Sequence, residues 1–174
     1  MTKKLRLLAT SSARKRHKVK LVLLGQSLVN QAWWLDFDRN LRRRYPHADI
    51  ELRNLSVGGA SNKPLGRILE HEVFDWNPDY VFYQAAGDHY CLAGTVKRLR
   101  SETTAEVVVL NHPSMNPKDY GTPPEGVKRA EAWEERYSHV LIPHICQYYG
   151  AAFFDIRTAW RNYVGKHGFH PLDF

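Results

Sequence analysis

Residues 18–30 read KVKLVLLGQSLVN. The apolar run from Val19 to Leu24 shows no polar alternation, which predicts a short strand buried on both faces, as in a parallel sheet. Gly25, Gln26 and Ser27 break the run, and an amphipathic segment follows. A strand, a tight turn and a helix start would hold Ser27 at the rim of a sheet. There a helix N-terminus points free N–H groups and the positive end of its dipole. Such a place suits a nucleophile whose intermediate carries an oxyanion. The competing reading is that Ser27 only caps the helix.

Outward from this stretch, strand and helix patterns alternate. Residues 29–45 predict a helix with Leu28, Ala32, Leu35 and Leu41 at helical spacing, three arginines at its C-terminal end and Pro46 as a stop. Residues 49–55 read as a second strand, followed by the small-residue turn Ser56-Val57-Gly58-Gly59-Ala60-Ser61 and a helix through Leu65, Ile68, Leu69 and Val73. Residues 80–86 are a third buried strand leading into Gly87-Asp88-His89, then a helix over residues 91–100. Residues 106–110 are a valine-rich fourth strand, and residues 111–126 a long loop with Pro113, Pro117, Pro123 and Pro124. A helix over residues 127–149 follows, with Trp133, Tyr137, Val140, Leu141 and Ile145 on one face and a break at Pro143. Residues 151–155 and 156–164 close the pattern as strand and helix. This alternation is the α/β signature, a five-stranded parallel sheet with helices on both faces. Ligands of such sheets sit at the carboxyl ends of the strands. The loops there carry Gly25-Gln26-Ser27, Gly58-Gly59, Gly87-Asp88-His89 and Asn111-His112-Pro113.

The chain of 174 residues is long enough for one domain with a sizeable core. Its charge is uneven. Residues 1–35 hold eight Lys/Arg and no acid, leaving 17 basic against 18 acidic residues in the remainder. Residues 1–17 are therefore expected as a basic, flexible, mostly irregular arm in which LRLLA could form a short helical or strand-like piece, and residues 18–174 as the folded domain. The arm lacks the aromatic interleaving of single-strand binders, so nucleic acid is not an expected partner. No apolar run reaches membrane-spanning length, and no h-region follows the N-terminal basic residues. Cys91 and Cys146 form neither a disulfide framework nor a metal spacing, and the nine histidines show no zinc-ligand cluster. A cytoplasmic setting is the expectation.

At this point the chain resembles the SGNH (GDSL-type) hydrolases, serine esterases and carbohydrate deacetylases on a flavodoxin-like three-layer α/β/α fold. LLGQSLV resembles the family's first block, and the resemblance implies Ser27 as nucleophile. G-Q-S in place of G-D-S is similar to its carbohydrate-esterase members. NLSVGGAS resembles the second block, which implies that the Gly59 amide donates to the oxyanion. PDYVFYQAAGDHY resembles the entry to the third block, where the family's asparagine falls at Asp88. A carboxylate donates no hydrogen bond unless protonated, so either Asp88 is held neutral, His89 takes the place, or this donor is missing. The last block, D-x-x-H, is not found. His170 and Asp173 have both residue types in reversed order, just before the chain stops at Phe174, so the expectation is a domain truncated at its C-terminus, a tail missing from the sequence, or a rearranged or dead site.

The candidates are thus Ser27, His170 and Asp173 for catalysis, Gly59 and Asp88 for the oxyanion, and His89, His112 and Gln26 for substrate binding. His112 is the reserve base. Asp155 is expected to cap the next helix. Trp33 and Trp34 could rim the site or join the core. The resemblance implies acyl transfer to Ser27 and hydrolysis by water, on a small ester or an acylated carbohydrate, with no metal or organic cofactor. The alternatives are a catalytically dead binding domain of the same fold and a basic-armed nucleic-acid binder.

Overall fold

Five strands, β1 (Lys18–Leu24), β2 (Asp49–Asn54), β3 (Tyr80–Gln84), β4 (Glu106–Leu110) and β5 (Ala152–Phe154), form one sheet in the order β2-β1-β3-β4-β5. Every neighbouring pair is parallel. The computed structural model describes residues 3–113 and 124–169. The helices are α1 (Lys3–Thr10), α2 (Trp33–Arg44), α3 (Asn62–Arg67), α4 (His89–Glu102), α5 (Pro124–Arg136), α6 (Ile142–Tyr149) and α7 (Ile156–His167). This is the flavodoxin-like three-layer α/β/α arrangement, and the strand order reverses beside β1.

The alternation of strand side chains separates two cores. Val22 and Leu24 of β1, Val81 and Tyr83 of β3, and Val107 and Val109 of β4 face Leu65, Leu69, Leu92, Val96, Leu99, Tyr137 and Ile142. On the other side, Val19, Leu21, Ile50 and Tyr80 pack with Leu8, Ala48 and the flank of α2. With β1 buried on both sides, each core leucine contributes about 1.5–3 kcal/mol relative to exposure.

Three expectations are corrected. The N-terminal segment is not a free arm: the short helical piece is α1, which buries Leu8, and Lys4 forms a hydrogen-bonded ion pair with Asp79. Lys4 and Leu8, four residues apart, lie on the same side of α1, where burial and the ion pair together outweigh the repulsion of its basic residues. In α2, the packed side runs through Phe37, Leu41 and Tyr45, while Leu35 stays 48% exposed. The long C-terminal helix is not uniform either. Between α5 and α6, residues Tyr137–Leu141 form a π-helical segment. That wider turn precedes Pro143, whose ring would clash with a regular turn. It also rotates the buried side by about one residue, from Tyr137 to Ile142, Ile145 and Cys146. Val140, within the wider turn, therefore stands exposed, as does Trp133 before it, although helical spacing put both on one face with Tyr137.

Candidate active site

The loop after β1 is shaped by Gly25. A side chain there would meet Val29 Cγ2 at 2.5 Å and Gln84 Cβ at 3.0 Å, so no larger residue fits without movement. The chain then turns: the Val29 amide donates to the Gln26 carbonyl (2.9 Å) and the Asn30 amide to the Ser27 carbonyl (3.1 Å). Ser27 is exposed, and among the described residues neither its hydroxyl nor its amide makes a hydrogen bond. Helix α2 starts only at Trp33, with Ala32 before it. Ser27 is thus neither its cap nor at its dipole end, contrary to both sequence readings. The cause is local. The Trp33 indole donates to the Leu28 carbonyl (2.6 Å), an acceptor that a continuous helix would give to the amide of residue 32.

The loop after β2 runs alongside. The Leu55 amide donates to the Leu23 carbonyl (2.8 Å) and the Val57 amide to that of Gly25 (2.9 Å). Asn54 reinforces this, accepting from the Ser56 amide (3.0 Å) and donating to the Val29 carbonyl (3.1 Å). Gly59 has φ +72°, a left-handed conformation that favours glycine. Its amide makes no hydrogen bond among the described residues. Three residues on, Asn62 is fully buried. Its carboxamide oxygen accepts from Tyr83 Oη (2.7 Å) and the Ala86 amide (2.9 Å). Its nitrogen donates to the Asp88 carbonyl (2.8 Å) and Tyr137 Oη (2.9 Å). All four bonding positions of the side chain are used, and the loops after β2 and β3 are locked together. No sequence signal marked Asn62, because a polar residue opening a helix normally faces water.

In the loop after β3, Asp88 is the N-cap of α4, accepting from the Cys91 amide at 2.7 Å. That bond holds its carboxyl below the usual range. Asp88 is therefore ionised and cannot donate to an oxyanion through its side chain, which corrects the protonated alternative. His89 lies on the first turn of α4 with its ring centroid 4.1 Å from Tyr90 and 6.0 Å from Trp133.

The loop after β4 is fixed from behind. Asn111, fully buried, donates to Asp155 Oδ1 (2.8 Å) and accepts from the Arg157 amide (3.0 Å). Asp155 caps α7 as expected, accepting from the Thr158 amide. Arg157 is only 2% exposed and donates to Glu135 (2.7 Å) and to the Pro113 carbonyl (3.2 Å). Between these anchors, His112 Nε2 lies 3.0 Å from Gln26 Nε2. The amide nitrogen only donates, so this ring nitrogen accepts, and the ring's other nitrogen donates to the Ala85 carbonyl. Burial, with the Arg157 charge acting the same way, drives the His112 pKa down to about 4 against that donation. The imidazole is neutral near pH 7, with an unprotonated nitrogen held by the residue next to Ser27.

The structure thus gathers Gln26, Ser27, Gly59 and His112 at the carboxyl ends of the strands. It gives Asp88 to a helix cap and His89 to an aromatic cluster. His170 and Asp173 lie outside the described residues. Counted with D-x-x-H spacing back from His170, the acid position falls on His167, the last residue of α7, whose ring centroid is 4.5 Å from that of Tyr163. The spacing alone could have shown this substitution. Trp33 is 43% exposed, edge-on to Phe37.

No protein-family model matches the chain, and no curated protein matches it in sequence. Solved structures do match. The chain is similar to Axe2, an acetylxylan esterase from Geobacillus stearothermophilus, with TM-score 0.70 and 14% identity over 89% of this chain and 83% of that one. It is similar to LAE5, an alpha/beta hydrolase enzyme from the metagenome of Lake Arreo, Spain, with TM-score 0.69 and 16% identity over 95% and 86% of the two chains. It is also similar to the acetyl xylan esterase AlAXEase, with TM-score 0.66 and 14% identity over 86% and 83%. At these identities the likeness shows a shared fold.

Proposed function

We propose that this chain is a serine ester hydrolase, acting on short acyl esters of a carbohydrate through an acyl-enzyme on Ser27. The observation that carries the reading is that two adjoining loops hold an exposed Ser27 hydroxyl and a Gly59 amide, neither of which makes a hydrogen bond among the described residues. Val57 and Gly25 join those loops by a hydrogen bond. In the first step a base takes the serine proton as Oγ attacks the ester carbonyl. The oxyanion is received by backbone amides at Ser27 and Gly59, and the alcohol leaves with a proton. Water then cleaves the acyl-enzyme by the same route. The alcohol class follows from the carbohydrate esters named for Axe2 and AlAXEase, and the G-Q-S variant agrees with it.

Two bases fit. The resemblance favours His170. With His167 at the acid position, that histidine has no carboxylate three residues before it, and Asp173 is its candidate orienting group. The contact between Gln26 and His112 favours His112, whose unprotonated nitrogen is held by the residue next to Ser27 and would exchange its bond with Gln26 for the serine proton. A base with pKa about 4 is a weak proton acceptor, so this second reading implies slow turnover. Turnover of p-nitrophenyl acetate from pH 4.5 to 9 tests the reading and separates the bases. Activity is expected to be lost in Ser27→Ala. With His170 as base and an ordinary histidine pKa, the rate falls below about pH 6.5. With His112 as base it stays level to about pH 5. Full activity in Ser27→Ala contradicts the proposal.

A further inference from the structure

The loop after β3 carries an aromatic cluster that the chemistry above leaves without a role. Tyr90 is 76% exposed and Trp133 44% exposed, although large rings ordinarily bury much of their surface. They are not loose. The His89 ring lies between them, with centroids 4.1 Å from Tyr90 and 6.0 Å from Trp133. The inner face of Trp133 stacks on Tyr137 at 6.0 Å and 21°. Tyr137 is 2% exposed, and its hydroxyl is held by Asn62, the side chain that also holds the Asp88 carbonyl. A rigid chain of contacts therefore links the exposed rings to the loop beside the candidate site. β3 is the direct neighbour of β1 in the sheet, so the loop after β3, from which α4 starts at His89, is the neighbour of the loop that carries Ser27.

Beside Trp133, Glu134 is half-buried and makes no hydrogen bond or ion pair among the described residues. Burial raises its carboxyl pKa, against the pull of the Arg157 charge. Burial likewise raises the pKa of the Tyr137 phenol, and the nearby Glu134 adds to that rise. A half-buried polar group without a partner is costly unless something else bonds to it.

We propose that Tyr90, His89 and Trp133, with Glu134 at their edge, form a binding subsite for a neutral sugar ring of the substrate. This rests on the ester-hydrolase reading above, which supplies a carbohydrate as the alcohol. A pyranose has apolar C–H faces and a hydroxyl rim. Its faces match the two exposed rings, and its hydroxyls match Glu134, the tyrosine hydroxyl and the imidazole. A fatty acyl chain matches less well, having nothing to bond to the polar groups that border the rings. The sugar would sit on the β3 side of the site while its ester reaches Ser27.

Titration of the full chain with xylotetraose, followed by tryptophan fluorescence and by chemical-shift changes, tests the subsite. Xylotetraose carries no ester, so its binding is independent of turnover. Saturable binding is expected, weakened about tenfold or more by Trp133→Ala, as for an anchor aromatic in an interface. Tyr90→Ala, at an exposed position that does not endanger folding, is expected to weaken it as well, and Glu134→Gln to do so without disturbing the stacking. The subsite is overturned if xylotetraose does not bind, if Tyr90→Ala and Glu134→Gln both bind it as the parent does, or if octanoate displaces it from the rings and binds more tightly. If the sugar binds as expected while Ser27 proves unreactive, the subsite stands and the hydrolase reading falls. The reverse result spares Ser27 and removes the subsite.

Discussion

At the scale of single residues, His112 is the most informative. The sequence marked it only as a histidine after a strand. Its burial, its bond to Ala85 and its contact with Gln26 depend on Asn111 and Arg157, which pin the loop from behind. Its folded pKa of about 4 lies below the unfolded value of about 6.5. The neutral form is therefore favoured in the folded chain. The stability it contributes is fully present above pH 6.5 and is lost as pH falls toward 4, a change of roughly 3 kcal/mol. Thermal unfolding of the parent and of His112→Gln between pH 4 and 7.5 checks this. The melting temperature of the parent is expected to fall more steeply on acidification, and parallel curves would contradict it. Asp88 shows the opposite case. Its type and position were legible, but its role as a cap depends on where α4 begins, and the sequence reading placed that start at residue 91 instead of His89.

At the scale of elements, the strands were legible because continuous apolar runs bounded by Gly, Pro and Asn admit few other readings. All five were anticipated within a residue or two. The errors lie where side chains override local preference. Trp33 delays α2, a π-helical segment rotates the buried side of α5 and α6, and Leu8 anchors a segment whose charge suggested an arm. The last error has a measurable consequence. Deleting residues 1–16 removes α1, uncovers Val19 and Leu21 and breaks the pair of Lys4 with Asp79. The lost burial of Leu7 and Leu8 is worth a few kcal/mol, so the melting temperature is expected to drop by on the order of 10 °C. An unchanged melting temperature would mean that α1 adds nothing to the fold.

At the scale of the whole molecule, the sheet order and the placement of four loops at one edge bring the candidate site together. The resemblance singled out Ser27 and Gly59 from short blocks whose joint spacing carried the signal, and the fold puts both in loops that follow neighbouring strands of the sheet. The supporting groups were not legible. Asn62, Asn111 and Arg157 are polar residues whose partners are remote in sequence, as far as 75 residues between Asn62 and Tyr137. Nothing in a local pattern announces a bond of that span. What the fold makes of Ser27 is the central claim, and covalent labelling tests it most directly. The full chain, treated with an alkyl fluorophosphonate and examined by intact-mass and peptide mass spectrometry, is expected to gain a single adduct on the peptide containing Ser27. Ser27→Ala is expected to gain none. An adduct of equal yield in Ser27→Ala, or no adduct in the parent under conditions that label a known serine esterase, would contradict the account.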